Sequence, residues 1–349
     1  MSRTEIRNYI LENRRHLIDK IMAEQMELNP ELKAKYNSAM LKKARSDTSH
    51  NLNYLAQAVF INEKSIFSNY YNWLYTVLKE RGIGVELLKS HLQAIKNVLK
   101  QELSQEDFNY LSGFLNEAEQ SLSSPENHYQ SFISDENHLK KEAEKYLALV
   151  IEMEREKAVK HILDLVDRGI SIENIYLDIF QITQYEIGRL WQLNQLSVAQ
   201  EHYATSVTQL AMSQLYPKIF NSFKKGKKAL TTCIGDELHE LGIRMVADLL
   251  ELSGWDTIHL GANTPVGEIL KLLEEKKINV LALSATIPNQ LEETQSLIKA
   301  VRNNDKLSPV KIMVGGRLFM QNNGLWQKIG ADTFASNAKE AVKAADAIL

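Results

Sequence analysis

The last third of the chain alternates between short apolar segments and amphipathic segments, and this alternation restricts the fold more than any other feature. The apolar segments have the length of buried strands, and the amphipathic segments have the period of helices. The predicted strands are Leu230–Ile234, Thr257–Leu260, Ile278–Leu283, Val310–Val314 and Thr333–Phe334. The predicted helices are Leu238–Leu252, Val266–Glu275, Leu291–Arg302 and Ala338–Ile348. Residues 225–349 are therefore predicted to form a five-stranded, parallel, doubly wound α/β sheet.

The preceding two thirds of the chain are predicted to be helical. In residues 1–120 apolar residues recur at steps of three and four, as in Leu52, Leu55 and Val59, which indicates an all-helical domain. Residues 121–139 are rich in Ser, Asn and Asp and are predicted to be a linker or long loop. Residues 140–222 are predicted to form a four-helix bundle. The lysine run 224–228 is interpreted as a solvated connector between the bundle and the sheet.

Composition excludes several classes of function. The 349 residues carry a net charge of −3, so no overall basic field favours nucleic acid or an anionic membrane. The single cysteine, Cys233, excludes an internal disulfide, and no apolar run approaches the roughly 20 residues that span a bilayer. A cytoplasmic protein without a membrane partner is expected. The sequence contains no P-loop, dinucleotide, zincin or nucleophile-elbow motif, so no catalytic residue is predicted.

The loops that follow the predicted strands hold the candidate binding residues, because ligands of doubly wound sheets lie beyond the carboxyl ends of the strands. Loop 234–242 contains Glu237, His239 and Gly242. A neutral imidazole is a good ligand for a borderline metal, and a carboxylate two residues earlier can accept its other ring N–H. Gly242 would let a large ligand approach the backbone. Alternatively, His239 caps a helix.

Two further loops add small residues to the same edge of the sheet. Ser284 and Thr286 follow the third strand and can form hydrogen bonds to a ligand, although such residues also begin helices. Gly315 and Gly316 follow the fourth strand and permit close backbone approach, although they could also form a tight turn.

Together these three elements resemble the flavodoxin-like cobalamin-binding domain of methionine synthase and methylmalonyl-CoA mutase. That family has an Asp-x-His-x-x-Gly element, and Glu237 replaces the Asp here. The resemblance implies that His239 is the lower axial ligand of cobalt and that Glu237 holds His239. It also implies that a slot for the nucleotide tail is lined by Ser284, Thr286, Gly315 and Gly316.

The helical bundle carries a second resemblance. Trp191 is followed by nine residues and then by Glu201 and His202, and this spacing resembles the motif of adenosylcobalamin-dependent photoreceptors related to MerR-type repressors. The neighbouring segments 186–191, 197–202 and 260–265 are similar to that family as well. The resemblance implies that the bundle covers the upper face of cobalamin and that Trp191, Glu201 and His202 hold the adenosyl group until light breaks the Co–C bond. Otherwise Trp191 is a core residue and His202 lies at a helix start.

Two departures limit this resemblance. Residues 1–120 contain no basic recognition helix, so direct DNA binding is not expected. Gln192 stands where the photoreceptors have a histidine after the Trp, so the state after illumination should differ.

In the N-terminal domain Asp47, His50 and Tyr54 share one helical face near an aromatic series. They could hold a second chromophore such as a linear tetrapyrrole, or they could belong to an aromatic core with a partner face.

The sequence therefore leads to a main function and an alternative. The main interpretation is a non-enzymatic, light-responsive cobalamin sensor that acts through a signalling protein partner, with adenosylcobalamin as the expected cofactor. The alternative is a corrinoid carrier protein of a methyltransferase system, which would use methylcobalamin and needs an open upper face. A scaffold whose cobalamin site has decayed is a third interpretation, opposed by the intact Glu237, His239 and Gly242. The photoreceptor resemblance also implies a homo-oligomer.

Overall fold

The computed structural model describes residues 1–122, 130–220, 223–235 and 237–349. Part of the predicted linker 121–139, the end of the predicted bundle 140–222 and one residue of loop 234–242 lie outside the described residues. The chain divides into two compact units, Met1–His128 and Tyr129–Leu349. None of the helices in the described ranges has both the length and the apolar character needed to cross a membrane.

The N-terminal unit is built from helices. They are α1 (Arg3–Glu12), α2 (Arg14–Leu28), α3 (Leu32–Lys35), α4 (Ser38–Ile61), α5 (Ser65–Lys79), α6 (Val85–Glu102) and α7 (Gln105–Ser121). Side-chain caps begin several of them; the Ser2 hydroxyl and the Glu5 carboxylate form a capping box at α1, for example. Helix α1 packs on α4, α2 on α6 and α5 on α7.

The aromatic residues of the N-terminal unit pack mainly against one another. The rings of Tyr54 and Tyr70 stack at 3.8 Å, and the Tyr70 hydroxyl donates to Asn51 at 2.8 Å. Asp47 pairs with Lys43 at 2.6 Å, and His50 is exposed. This packing is that of an aromatic core, and the second chromophore remains a prediction.

The first half of the second unit is a helical bundle, here called the cap bundle. It consists of α8 (Lys140–Ile151), α9 (Arg155–Asp167), a long third helix and α12 (Val198–Ile219). The third helix begins at α10 (Ile172–Asn174), widens to π-helical turns over Ile175–Gln181 and continues as α11 (Ile182–Gln192). Ser171 and Ser197 cap its entry and that of α12.

The second half is the predicted five-stranded parallel sheet, which confirms the fold class. Its strands are β1 (Lys228–Cys233), β2 (Asp256–Gly261), β3 (Val280–Ser284), β4 (Lys311–Gly315) and β5 (Thr333–Phe334), in the order β2-β1-β3-β4-β5. Its helices are α13 (Leu241–Leu252), α14 (Val266–Lys276), α15 (Leu291–Arg302), α16 (Arg317–Gln321), α17 (Leu325–Lys328) and α18 (Ala338–Ala347). Since this strand order reverses direction between β1 and β3, a ligand crevice is expected there.

The cap bundle packs directly on α13. Met245 and Leu249 of α13 belong to the same buried cluster as the bundle core. Polar contacts flank this apolar contact: the Tyr176 hydroxyl donates to Asp248 at 2.8 Å, and the Arg244 guanidinium donates to Ser213 at 2.7 Å and to the Tyr216 hydroxyl at 3.1 Å. The bundle and the sheet are thus joined by one continuous core with a polar border.

The lysine-rich connector is exposed at residues 223–226, as its charge suggests, and it is also anchored to the sheet domain. The Lys225 N–H donates to the Gly254 carbonyl at 2.7 Å, and the Lys224 ammonium reaches the Trp255 carbonyl at 3.2 Å. The Lys227 ammonium lies 5.4 Å from the centre of the buried Trp255 ring. The lysines are held because Trp255 and the nearby carboxylates of Glu251 and Asp346 offer partners that a charge count does not reveal.

Candidate functional site: a cofactor cleft between the sheet edge and the cap bundle

The candidate residues of the sheet domain meet at the point where β1 and β3 diverge. Cys233 at the end of β1 is in register with Ser284 at the end of β3, and Ser284 is in register with Gly315 at the end of β4. The three loops that follow these strands therefore leave the sheet side by side.

Glu237 connects the first two of these loops. One carboxylate oxygen accepts hydrogen bonds from the His239 N–H at 2.8 Å and from His239 Nδ1 at 2.5 Å. The other oxygen accepts the Thr286 N–H at 2.7 Å. Because the Glu237 side chain holds these backbone groups, residues 237–240 form a loop and α13 begins at Leu241, three residues later than predicted.

The interaction between Glu237 and His239 holds the imidazole in one orientation. Burial alone would raise the pKa of the fully buried Glu237, but the hydrogen bonds from His239 and Thr286 outweigh it and lower the pKa. The hydrogen bond to Glu237 raises the pKa of His239, against the opposing effect of burial. With Nδ1 engaged and 67% of the side chain exposed, His239 presents Nε2 as the ring nitrogen for a metal.

The glycines of these loops differ in the space around their Cα atoms. Gly316 has a φ of +96°, and a Cβ there would lie 2.4 Å from the Ala285 carbonyl oxygen. Gly315 and Gly316 thus let the loop after β4 approach Ser284 and Ala285. At Gly242, by contrast, a Cβ would meet nothing within 4 Å, so the first turn of α13 borders open space beside His239.

The cap bundle places its three candidate residues near the end of α11 and the start of α12. Trp191 packs partly against the bundle core. The His202 Nε2 atom lies 3.3 Å from the Glu201 carboxylate, and 73% of the His202 side chain is exposed. The negative charge of Glu201 contributes to raising the pKa of His239. Further along α12, the Gln209 amide donates to Glu240 at 3.4 Å, so α12 approaches the loop after β1.

Several residues of the cleft carry no motif that a single sequence reveals. The Gln290 side chain accepts the Thr286 and Ile287 N–H groups at 3.1 and 3.2 Å and so shapes the loop after β3. Arg317 begins α16 directly after Gly316, and its charge opposes the rise in the pKa of both His239 and Tyr185. Arg244 and Asp248, which join α13 to the cap bundle, are visible in the sequence as two charges four residues apart on a largely apolar helix.

Comparison with known proteins identifies both halves of the second unit. Residues 227–346 match the family model of a B12 binding domain, and residues 142–216 match a second model that is also described as a B12 binding domain. The second unit is therefore a cobalamin-binding module composed of a helical part and a sheet part.

The curated relatives are corrinoid proteins. The dimethylamine corrinoid protein of Methanosarcina barkeri is 29% identical over 167 residues, which is 48% of this chain and 75% of the relative. Dimethylamine corrinoid protein 3 of Methanosarcina mazei is 29% identical over 167 residues, which is 48% of this chain and 96% of the relative. The predicted assignment to the photoreceptor family is not supported by these relatives.

A solved structure has the same fold. The monomethylamine corrinoid protein of Methanosarcina barkeri aligns with a TM-score of 0.54 at 20% identity, over 60% of this chain and all of that chain. At this identity the likeness concerns the fold alone.

The residues in the cleft fit a corrinoid. The donor set is a single imidazole held by a buried carboxylate, and one imidazole is sufficient for a cobalt that the corrin ring already holds through four nitrogens. The open space at Gly242 provides room beside that donor. The structure thus offers a donor and space where a cobalt corrinoid requires them.

Proposed function

We propose that this chain is a corrinoid carrier protein of a methyltransferase system. When bound, cobalamin supplies a cobalt that can accept and give up a methyl group. His239 would hold the cobalt from below, and Glu237 would keep the imidazole oriented. Ser284, Thr286, Gly315 and Gly316 would line the slot for the nucleotide tail, and the cap bundle would cover the upper face. The observation that carries the proposal is the similarity of about half of the chain to dimethylamine corrinoid proteins. The matches to B12 binding domains in both halves of the second unit support it.

A light-responsive sensor is the second candidate, in which the protein acts through a partner and holds adenosylcobalamin. It is favoured by the spacing of Trp191, Glu201 and His202. The two candidates make different demands on the upper face. A carrier exchanges a methyl group with an external donor, whereas a sensor encloses an adenosyl group.

The test uses the full chain loaded with methylcobalamin or adenosylcobalamin. For a carrier we expect a base-off, His-on absorption spectrum, methylation of the reduced bound cofactor by external methyl iodide, and less than about a threefold difference in affinity between the two forms. A strong preference for adenosylcobalamin, together with a change in oligomeric mass under green light, would replace the carrier with the sensor.

Histidine variants test which imidazole binds the cobalt. His239→Ala should abolish the His-on spectrum, because no other imidazole is held by a carboxylate in the loop after β1. His202→Ala is the control, since it removes another exposed imidazole, on α12. A His-on spectrum that persists in His239→Ala would remove the proposed cobalt ligand.

A further inference from the structure

The segment that precedes the cap bundle is bound to the third helix of the bundle. Ile133 is buried, and the Asn137 amide donates to the Asp178 carbonyl at 2.7 Å. The His138 imidazole lies 3.3 Å from the Asp178 carboxylate. Residues 130–138 therefore follow the surface of the bundle as a fixed strap.

The strongest anchor of this strap is Glu186 of α11. Its buried carboxylate accepts the Phe132 N–H at 2.9 Å and pairs with the Arg189 guanidinium at 2.5 Å. Burial would raise the pKa of Glu186, but the hydrogen bonds from Arg189 and Phe132 outweigh it and keep the carboxylate charged. A buried charge with several partners fixes the strap at this point.

The anchor places an aromatic pair beside the cleft. The Phe132 ring packs on the Tyr185 ring with a centroid distance of 5.4 Å, and yet 48% of Phe132 and 39% of Tyr185 remain exposed. The side chain of Gln184, next to Tyr185, forms hydrogen bonds of 3.0 Å with Thr205 and Thr208 of α12, and Gln209 of α12 donates to Glu240 in the loop after β1 at 3.4 Å. The helix that carries the pair therefore packs beside the helix that meets the loop of the proposed cobalt ligand.

Gly188 completes this surface. It lies on α11 between Tyr185 and Trp191 at steps of three residues, so the three share one side of the helix. A Cβ at Gly188 would meet nothing within 4 Å. Glycine weakens a helix interior, and no contact within the protein requires it here.

We propose that Phe132, Tyr185 and Gly188 form a lateral wall of the cofactor site, against which the edge of the corrin ring packs. The bare backbone at Gly188 admits the ring, and the Phe132–Tyr185 pair covers its side. The strap that leads out of the N-terminal unit thereby becomes part of the cofactor site. This inference rests on the proposed binding of cobalamin.

The test compares full-length variants by titration with methylcobalamin and by thermal denaturation without cofactor. Gly188→Leu should not lower the Tm, because Leu favours a helix more than Gly does, but it should weaken cobalamin binding by about tenfold or more. Gly188→Ala should weaken binding less than Gly188→Leu. Asn116→Leu adds the same side chain at an exposed position of α7 and should leave the affinity unchanged.

The strap is tested independently of Gly188. Phe132→Ala should weaken binding about fivefold, whereas Leu28→Ala, which truncates a similarly exposed apolar side chain, should not. Cobalamin should also slow hydrogen exchange in residues 130–138. If the wild type binds cobalamin but the Gly188 and Phe132 variants bind equally well and exchange is unchanged, the lateral wall is wrong and the proposed function stands. If the wild type does not bind cobalamin, both are wrong.

Discussion

Glu237 determines the geometry of the cleft more than any other single side chain. It is fully buried, and its two oxygens satisfy groups from the loops after β1 and β3. A charged group without solvent requires such partners, because an unpaired buried carboxylate would be strongly destabilising. One side chain thus fixes both the direction of His239 and the distance between two loops.

We expect Glu237→Gln to weaken cobalamin binding by about 10- to 100-fold, because an amide holds the imidazole less firmly and donates less electron density to it. The loss should be measured by titration with methylcobalamin and accompanied by a weaker His-on absorption band. Far-UV circular dichroism should remain that of the wild type. Glu268→Gln, at an exposed position of α14, is the matched control, and equal affinity in both variants would show that Glu237 does not support the ligand.

The spacing of Glu237 and His239 was sufficient to predict that the two side chains could meet. It was not sufficient to predict the contact with Thr286, because that N–H lies 49 residues away in sequence. The same limitation explains why the start of α13 was placed three residues too early: apolar periodicity extends the helix to Leu238, whereas the tertiary acceptor keeps residues 237–240 in a loop.

At the scale of elements, α13 links the sheet to the cap bundle, and Asp248 is its most constrained residue. Burial raises the pKa of Asp248 to about 6, although the hydrogen bond from Tyr176 and the charge of Arg244 oppose this effect. The folded protein therefore binds the Asp248 proton more tightly than the unfolded chain does. The contribution of this proton to the unfolding free energy is complete below about pH 4 and is lost as the pH rises through about 6.

We expect Asp248→Asn to remove this dependence, because Asn does not titrate and can still accept the hydrogen bond from Tyr176. Relative to the wild type, the variant should gain about 1–3 kcal/mol of unfolding free energy between pH 4 and pH 7.5. Denaturant unfolding at both pH values measures the change. Asp256→Asn, on an exposed carboxylate at the start of β2, should show a much smaller change. If the stability of the variant relative to the wild type increased as the pH fell from 7.5 to 4, the assigned cause would be contradicted.

The connector before β1 depends on Gly254. This residue has a φ of +95°, and a Cβ would lie 2.3 Å from the Phe223 carbonyl oxygen. We expect Gly254→Ala to lower the unfolding free energy by about 1–3 kcal/mol, because both the backbone conformation and the close approach exclude a side chain. Gly267→Ala, in a helix with open space around it, should be neutral or slightly stabilising in the same denaturant titration. Equal effects would show that the connector can shift without cost.

The alternation of apolar and amphipathic segments predicted the five strands of the sheet, of which β1, β3 and β4 are largely buried. The anchoring of the connector could not be predicted in this way. The partners of its lysines are Glu251, Trp255 and Asp346, which come near them only when the sheet has formed. A run of like charges is interpreted as solvent-exposed when the neighbouring sequence contains no residue of opposite charge to bind it.

At the scale of the whole molecule, every residue proposed to bind the cofactor lies in the second unit, and both family matches do as well. The N-terminal unit has its own core, from Ile6 in α1 to Leu122 after α7. A unit with its own core and none of the proposed cofactor ligands should be separable from the binding function. The strap at residues 130–138 then marks where the part of the chain needed for cofactor binding should begin.

We therefore expect two truncations to differ although they start only 11 residues apart. Residues 129–349 should bind methylcobalamin within about threefold of the full chain, because the strap and the cleft are both retained. Residues 140–349 lack Phe132 and leave Glu186 without the N–H that it accepts, so they should bind about tenfold more weakly. Circular dichroism and thermal denaturation of both fragments control for folding, and Phe132→Ala within residues 129–349 should reproduce most of the loss. Equal affinity of the two folded fragments would place the strap outside the site, whereas weak binding by both would assign a role in cofactor binding to the N-terminal unit.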